Sequence, residues 1–364
     1  MTRFHKPVIH SSFWRSIGIC KVRTWAWVLL LNCAAVSWLY FKGLEPTTTH
    51  TAEIREQSML RVPVAKQLSH NYTTVLSKTD PPMTVSVYTE GDIVSNNIKR
   101  HGYWDGGLTE VVSAILDARQ QHSSVHTQPQ TIVDFGANVG WFSLLAAAKG
   151  HRSIAVEPMS SNRGALFQSM ALNKFDDSIR VVAAALGDGS PDSPGSLCIQ
   201  PRVAGHNIGN GQTTTEVDGC GEVVPVKTLG SIIGNEQVDF VKADCEGCEA
   251  NAIMGMKDII AGKSPPCSLA IEWRTEVMKE LGGDPTAVTK LLFESGYLFF
   301  RQDCDLVTGE GLKLTEIPSL EVPEKLPSTN MDLVVLHDSK RCFERDGKAF
   351  RFVMDRVASF QPLL

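Results

Sequence analysis

The stretch that decides the fold is Thr131-Ile132-Val133-Asp134-Phe135-Gly136-Ala137-Asn138-Val139-Gly140, TIVDFGANVG. An apolar run closes on an acid, two glycines bracket a tight turn, and Trp141 to Ala148 follows with helical character. This pattern predicts strand, glycine turn and helix start, with the turn as a candidate ligand site. Glycines there allow backbone N–H groups to approach a ligand, and a helix N-terminus favours a carboxylate or phosphate.

The dinucleotide fingerprint is Gly-x-Gly-x-x-Gly, whereas Gly136-Ala137-Asn138-Val139-Gly140 has Asn138 at the second glycine's place, which disfavours a pyrophosphate. About 20 residues beyond Gly136, a second strand-like run, Ser153 to Val156, ends in Glu157-Pro158, where an acid is placed to bind ribose hydroxyls. Acid, Gly-x-x-x-Gly and second acid together resemble S-adenosylmethionine (SAM) sites. Either glycine pair alone is better explained by a purely structural turn.

Outward from this unit the chain alternates. The folded domain is expected from Met83, with a strand at Thr84–Tyr88, a polar approach segment at Asp92–Trp104 and a helix at Leu108–Arg119. A helix at Ser161–Lys174 and a strand at Ile179–Leu186 follow, the latter closed by Gly187-Asp188-Gly189, which places Asp188 near the adenine. Ser190–Gly221, rich in Gly, Pro, Ser and Thr, reads as a β-hairpin insertion beside the site; His206 within it is either a surface residue or a ligand contact.

The second dense stretch is Lys242-Ala243-Asp244-Cys245-Glu246-Gly247-Cys248-Glu249, at the end of the apolar run Val238–Val241. Strand alternation sends Lys242, Asp244 and Glu246 to one side. Like charges buried together are costly unless paired or bound to something, which argues against a purely structural reading. Cys245-x-x-Cys248 has no second pair at zinc-site spacing, and neither a zinc nor a thioredoxin-type role is assigned. Helices at Ala250–Ala261 and Thr275–Ser295 and strands at Ser268–Trp273 (carrying Glu272), Tyr297–Arg301 and Met331–His337 complete the pattern. The expected fold is α/β: a Rossmann-like, mostly parallel twisted sheet with helices on both faces and a C-terminal β-hairpin edge. A charged tail, residues 340–364, is left without a role.

The remainder concerns address. Arg3, Lys6, Arg15, Lys21 and Arg23 form a basic leader (1–24) ahead of the apolar run Trp25–Phe41, and no acid precedes Glu45. The charge asymmetry predicts a single-pass type II anchor with a cytosolic N-terminus. A cleaved signal peptide and a transit peptide are the rival readings, the first weakened by Trp38-Leu39-Tyr40-Phe41 at the cleavage position, the second by the apolar span. Residues 42–82 read as a stem carrying the glycosylation triplet Asn71-Tyr72-Thr73. Anchor, stem and catalytic domain is a layout shared with many Golgi enzymes, which makes the Golgi lumen the expected location. Of nine cysteines, Cys198 with Cys220 and Cys304 with Cys342 are candidate pairs, with connectivity open. A net charge of −5 gives no footprint for nucleic acid.

The motifs VDFGANVGWFSL, AVEP, AALGD and above all VKADCEGCE resemble those of the FkbM-type SAM-dependent methyltransferases, whose pattern at the last site is Lys-x-Asp-x-Glu-Gly-x-Glu. The resemblance covers roughly residues 85 to 340; Cys245 and Cys248 fall at its variable positions. It implies a class I methyltransferase fold, SAM as cofactor and O-methylation, often on sugar or polyketide hydroxyls. Carried over by position, Asp134, Gly136, Asn138, Gly140, Glu157 and Asp188 line the cofactor site, and Lys242, Asp244, Glu246 and Glu249 sit at the reaction centre. Asp244 is the expected base, with Glu246 or Glu272 as alternates and Lys242 orienting them. A divalent cation held by the acids is an alternative the sequence does not decide, and no metal ligands are assigned. Address and chemistry together point to a membrane-anchored lumenal enzyme methylating a hydroxyl-bearing acceptor such as a glycan. A small metabolite or lipid head group, or an inactive SAM-fold binding module, is the alternative.

Overall fold

A computed structural model describes residues 71–122, 128–200, 207–304, 311–319, 326 and 330–361. The leader, the expected anchor, most of the stem and His206 lie outside the described residues. Of the two units into which the chain divides, Met1–Val62 lies wholly outside them, and every element described belongs to Pro63–Leu364. Among the described residues, no helix is long and apolar enough to cross a membrane.

The fold begins earlier than its composition suggests. Tyr72–Leu76 (β1) pairs antiparallel with Thr84–Tyr88 (β2), so the segment read as the end of a stem belongs to the folded unit. Tyr72 and Val75 pack against the main core, which supplies the burial that the polar composition around them conceals. Asn71 of the glycosylation triplet is exposed. The approach segment is also more regular than expected: Ile93–His101 (α1) is a helix because buried Asp92 accepts a hydrogen bond from Ser95 N at 2.7 Å, and Gly102 ends it at φ 81°. Gly106–His122 (α2) follows.

The central sheet then forms from Thr131–Phe135 (β3), Trp141–Ala148 (α3), Arg152–Val156 (β4), Ser160–Asn173 (α4) and Ile179–Val182 (β5). Next come a smaller sheet, Ala185–Leu186 (β6), Ser196–Gln200 (β7), Gln212–Thr214 (β8) and Val223–Lys227 (β9), and helix Leu229–Ile233 (α5). The expected hairpin insertion is β7 and β8, paired antiparallel, and the disulfide Cys198–Cys220 ties it off as anticipated.

Phe240–Ala243 (β10) returns to the central sheet on the other side of β3. Glu249–Met254 (α6) and Lys257–Ile260 (α7) replace one expected helix. Gly255 stands at the break, where a Cβ would lie 2.5 Å from Gly187 O. Ser268–Arg274 (β11) precedes Thr275–Glu280 (α8) and Pro285–Glu294 (α9), again two helices in place of one. Gly282 at φ 77° and the Asp284-Pro285 cap separate them. Tyr297–Asp303 (β12), Lys313–Glu316 (β13) and Asn330–His337 (β14) complete an eight-stranded sheet of order β13-β12-β14-β11-β10-β3-β4-β5. The five strands from β11 to β5 are parallel; the two expected C-terminal strands, β12 and β14, pair antiparallel beside them, and β13, which the sequence pattern did not show, adds the outermost strand. This is a Rossmann-like α/β fold.

Each face of the sheet carries its own core. Along β3, Ile132 joins one cluster while Val133 and Phe135 join the other, as strand alternation requires. The charged tail is structural: Lys348–Ser359 is a helix that buries Val353 and Val357, and its Arg356 bonds Glu110 at 2.5 Å and also Asp117 on α2. Cys342 bonds Cys267 rather than Cys304, because His337 N bonds Cys267 O at 2.9 Å and so brings the chain beyond β14 to Cys267. Arg119, 1% exposed, knots these parts by bonding Asp239 at 2.9 Å and Arg341 O at 2.8 Å, while Asp239 accepts from Thr131 N at 3.0 Å.

Strand order reverses between β3 and β10, whose successors lie on opposite sides. The crevice beyond the carboxyl ends of two such strands is where ligands bind in open α/β sheets. Those ends carry Gly136 and Asp244.

Candidate functional site

The glycine turn is held by its own surroundings. Gly136, Asn138 and Gly140 take φ of 69°, 52° and 89°. Every N–H from 136 to 140 is spent internally. Gly136 N and Ala137 N donate to Val156 O, Asn138 N to Glu157 Oε2 at 2.7 Å, Val139 N to Asn138 Oδ1, and Gly140 N to Ala137 O. The turn is therefore not the open N–H cradle anticipated from its glycines. A phosphate would have to displace these bonds, and SAM carries no phosphate. Glu157 also accepts from Met159 N at 2.9 Å and Asn162 Nδ2 at 3.1 Å.

Asp134 differs from the expectation. It is fully buried behind the turn, where Oδ2 accepts from Ser143 N and Oγ at 3.0 and 2.7 Å and Oδ1 lies 3.8 Å from Lys242 Nζ. It positions α3 and Lys242 and has no exposed surface. Asp188 also stands apart. Its carboxylate accepts from Ser190 N at 3.0 Å, and Gly187 and Gly189 beside it abut Val226, Thr228 and Gly255 rather than the turn. The strand-end acids Asp134, Glu157 and Asp188 were predictable from sequence; which of them faces the crevice was not.

The acid loop is built onto the turn. Asp244 N donates to Phe135 O at 3.3 Å, Lys242 Nζ donates to Gly136 O at 3.0 Å, and Lys242 lies 3.3 Å from Asp244 Oδ2. A Cβ on Gly136 would fall 1.6 Å from Asp244 O. Burial alone would lower the Lys242 pKa, but Asp244 and Asp134 outweigh it and hold the ammonium above its ordinary value. Alternation fails beyond Ala243, where β10 ends: Glu246, at φ 61°, is exposed and accepts from Asn210 Nδ2 at 2.6 Å instead of joining Asp244. Cys245 and Cys248 are bonded to each other across this turn. Glu249 is fully buried and its Oε1 accepts from Cys245 N at 2.7 Å and Gly247 N at 3.2 Å.

Glu272 faces this loop from β11 and pairs with Arg274. Its cross-strand partner on β14 is Asp332, an acid the motif reading passed over although it interrupts an apolar strand. Like charges at opposed positions destabilise a sheet, which is a signal for function rather than packing. Burial pushes Glu249 up to about 7 and, with Asp244 adding repulsion, Glu272 up to about 8. Burial, with Asp332 and Asp244, pushes Asp105 up to about 7.

Above the turn lies a strap that sequence reading reduced to a hairpin. Gly209 O accepts from Asn138 Nδ2 at 3.3 Å and Asn162 Nδ2 at 2.9 Å, Gly209 N donates to Asp92 Oδ1 at 3.2 Å, and Ile208 N bonds Gly91 O. Asp92, the first residue of the approach segment, and Asn162 therefore hold the strap over the turn, a contact that the sequence did not show. A cavity of about 140 Å³ at the seam of α2 and the C-terminal helix, lined by Lys78, Tyr103, Glu110 and Arg356, shares no residue with the turn or acid loop. Its charged pair, Arg356 and Glu110, is already satisfied.

Burial pushes Glu157 up to about 7 from its ordinary 4.5. The folded state thus holds this proton more tightly than the unfolded chain. The contribution is present in full below pH 4.5 and is lost as pH rises through about 7, on the order of 3 kcal/mol. Between pH 5 and 8 the wild-type chain is expected to lose stability relative to Glu157→Gln. Denaturant midpoints of the two proteins across that range check this, and parallel profiles would contradict it.

Residues 134–299 match the family model described as the methyltransferase FkbM domain. No curated protein matches the chain. Among solved structures it is similar to precorrin-6y C5,15-methyltransferase from Geobacter metallireducens GS-15, at 10% identity over 66% of this chain and 96% of that chain, TM-score 0.32. It is also similar to human methyltransferase 10 domain containing protein, at 10% identity over 64% of this chain and 82% of that one, TM-score 0.33. At those scores the strand order itself, not the likeness, defines the fold.

Proposed function

We propose that this methyltransferase, which carries an FkbM domain at residues 134–299, transfers the methyl group of SAM to a hydroxyl of a glycan in the secretory-pathway lumen. The observation that carries the reading is the joining of two parts: a turn whose N–H groups are all committed, and an acid loop packed directly onto it through Lys242 and Gly136. Gly136, Asn138, Gly140 and Glu157 are the residues that would hold the cofactor, whose sulfonium supplies an activated methyl group. The negative surroundings suit that cation. Asp134 and Asp188 keep the supporting roles described above.

The protein's task is then positioning and proton removal. As the acceptor oxygen forms its bond to the methyl carbon, the S–CH₃ bond breaks, the sulfur keeps the electron pair as a neutral thioether, and the hydroxyl proton passes to a carboxylate. Asp244 is the base of choice, partly exposed at the crevice and oriented by Lys242. Glu246 is exposed and accepts from Asn210, and Glu272, held up at about 8, keeps its proton at neutral pH. Asp105, Asp332 and Glu272 give the acceptor side carboxyl groups able to hydrogen-bond, which suits a polyhydroxylated acceptor. The lumenal address rests on the basic leader and the apolar run Trp25–Phe41, and the type II anchor belongs to this proposal. The exposed Asn71 and the disulfides Cys198–Cys220 and Cys267–Cys342 suit an oxidising compartment.

The test supplies methyl-labelled SAM and a panel of neutral oligosaccharides to the full chain. Label in an alkali-stable ether on sugar supports the reading. Label that alkali releases as an ester, or label found only on nitrogen, refutes the hydroxyl acceptor.

A further inference from the structure

We propose that carboxylate oxygens of Asp244, Glu249 and Glu272 bind a divalent cation beside the glycine turn. One oxygen from each lies within 4.8 Å of the others, and the three come from the end of β10, the start of α6 and β11. An ion held at roughly 2.0–2.6 Å from its ligands spans oxygens at that separation.

The acids alone do not carry the argument; the pairing pattern does. Glu249 is fully buried and its Oε1 is pinned by two backbone N–H groups, while its Oε2 has no hydrogen-bond partner. A buried carboxylate oxygen in that condition is costly, and backbone donors on the companion oxygen are what fixes a ligand's orientation in metal sites. Glu272 repeats the pattern, with Oε1 on Arg274 and a buried Oε2 that has no hydrogen-bond partner. Lys242 does not fill the gap, since its ammonium is directed to Gly136 O, Asp134 and Asp244.

The donor set selects the ion. Three carboxylates without histidine suit a hard cation such as Mg²⁺, Ca²⁺ or Mn²⁺. The two nearby sulfurs are bonded to each other and offer no thiolate. Asp332, opposite Glu272, and the turned-out Glu246 are excluded from the set by position. Cation binding is independent of methyl transfer. Only the ion's role rests on that reading: it would hold the acceptor oxygen and lower the pKa of its hydroxyl.

Mn²⁺ titration of the full chain, followed by the electron paramagnetic resonance signal of the free ion, tests the site. The expected result is one saturable Mn²⁺ per chain, displaced by Mg²⁺ or Ca²⁺. Glu249→Gln and Glu272→Gln each weaken binding by at least about tenfold. Glu316→Gln, which removes an acid paired with Arg345 at 2.8 Å on the surface, leaves it unchanged. If Glu249→Gln fails to fold, Glu272→Gln decides. Absence of saturable binding in the folded wild type, or wild-type affinity in Glu272→Gln, overturns the proposal. SAM-induced stabilisation read on the same samples separates that failure from failure of the methyltransferase reading.

Discussion

In Asp244→Asn the methyl-transfer rate falls by about 10²–10⁴-fold while SAM affinity stays near that of the wild type, as expected for loss of a proton acceptor at the reacting oxygen. The residue's backbone carries the structure: its N bonds Phe135 O and its carbonyl closes over Gly136. Both survive the substitution. The side chain is the part that faces the crevice, and Asn retains its shape while losing the basic oxygen and half of the Lys242 pair. A kcat loss with the melting temperature held within a few degrees assigns the base. Full activity in a folded variant would remove Asp244 from that role.

Gly136→Ala has the larger effect on the fold. Its Cβ would meet a main-chain oxygen 1.6 Å away, and φ of 69° is itself strained for alanine. Backbone cannot step aside as a flexible side chain can. Relief requires the acid loop to lift off the turn, breaking the Lys242 to Gly136 O bond. The expected loss exceeds about 4 kcal/mol, among the largest for single substitutions. Gly150→Ala isolates the cause: φ is 82° but no atom lies within 4 Å of the added Cβ, so only the conformational cost of about 1–3 kcal/mol applies. Denaturant unfolding of both variants checks the pair. Equal losses would mean that the contact with Asp244 contributes little.

The contrast between these positions shows what the chain's order of residues reveals and what it hides. The strand, turn and helix around Gly136 were legible because period, glycine and acid are local signals, and the parallel sheet followed from their repetition. Lys242, Asp244 and Glu249 were likewise found as a group. Glu246 was misplaced because alternation was extended past the residue where β10 ends. Asp134 was taken for a ligand contact because a strand-end acid reads alike whether it faces the crevice or lies behind the turn. Asp92, Asn162 and the strap at Gly209 come together from segments far apart in sequence, which periodicity cannot see. The same holds for Cys267, whose bond to Cys342 depends on the register of β14. The first strand and last helix looked like linker and tail because their few apolar residues gain burial only against the finished core.

Thermal unfolding of the full chain, with and without SAM, addresses the central claim that the committed glycine turn and its acid loop form a methyl-donor site. SAM at 100 times its Kd is expected to stabilise the protein by about 2.7 kcal/mol, raising the melting temperature by several degrees. The demethylated product should act similarly, and NAD, which presents a pyrophosphate to a turn without available N–H groups, should give no shift. A well-folded sample unmoved by SAM, or moved more by NAD, would contradict the account.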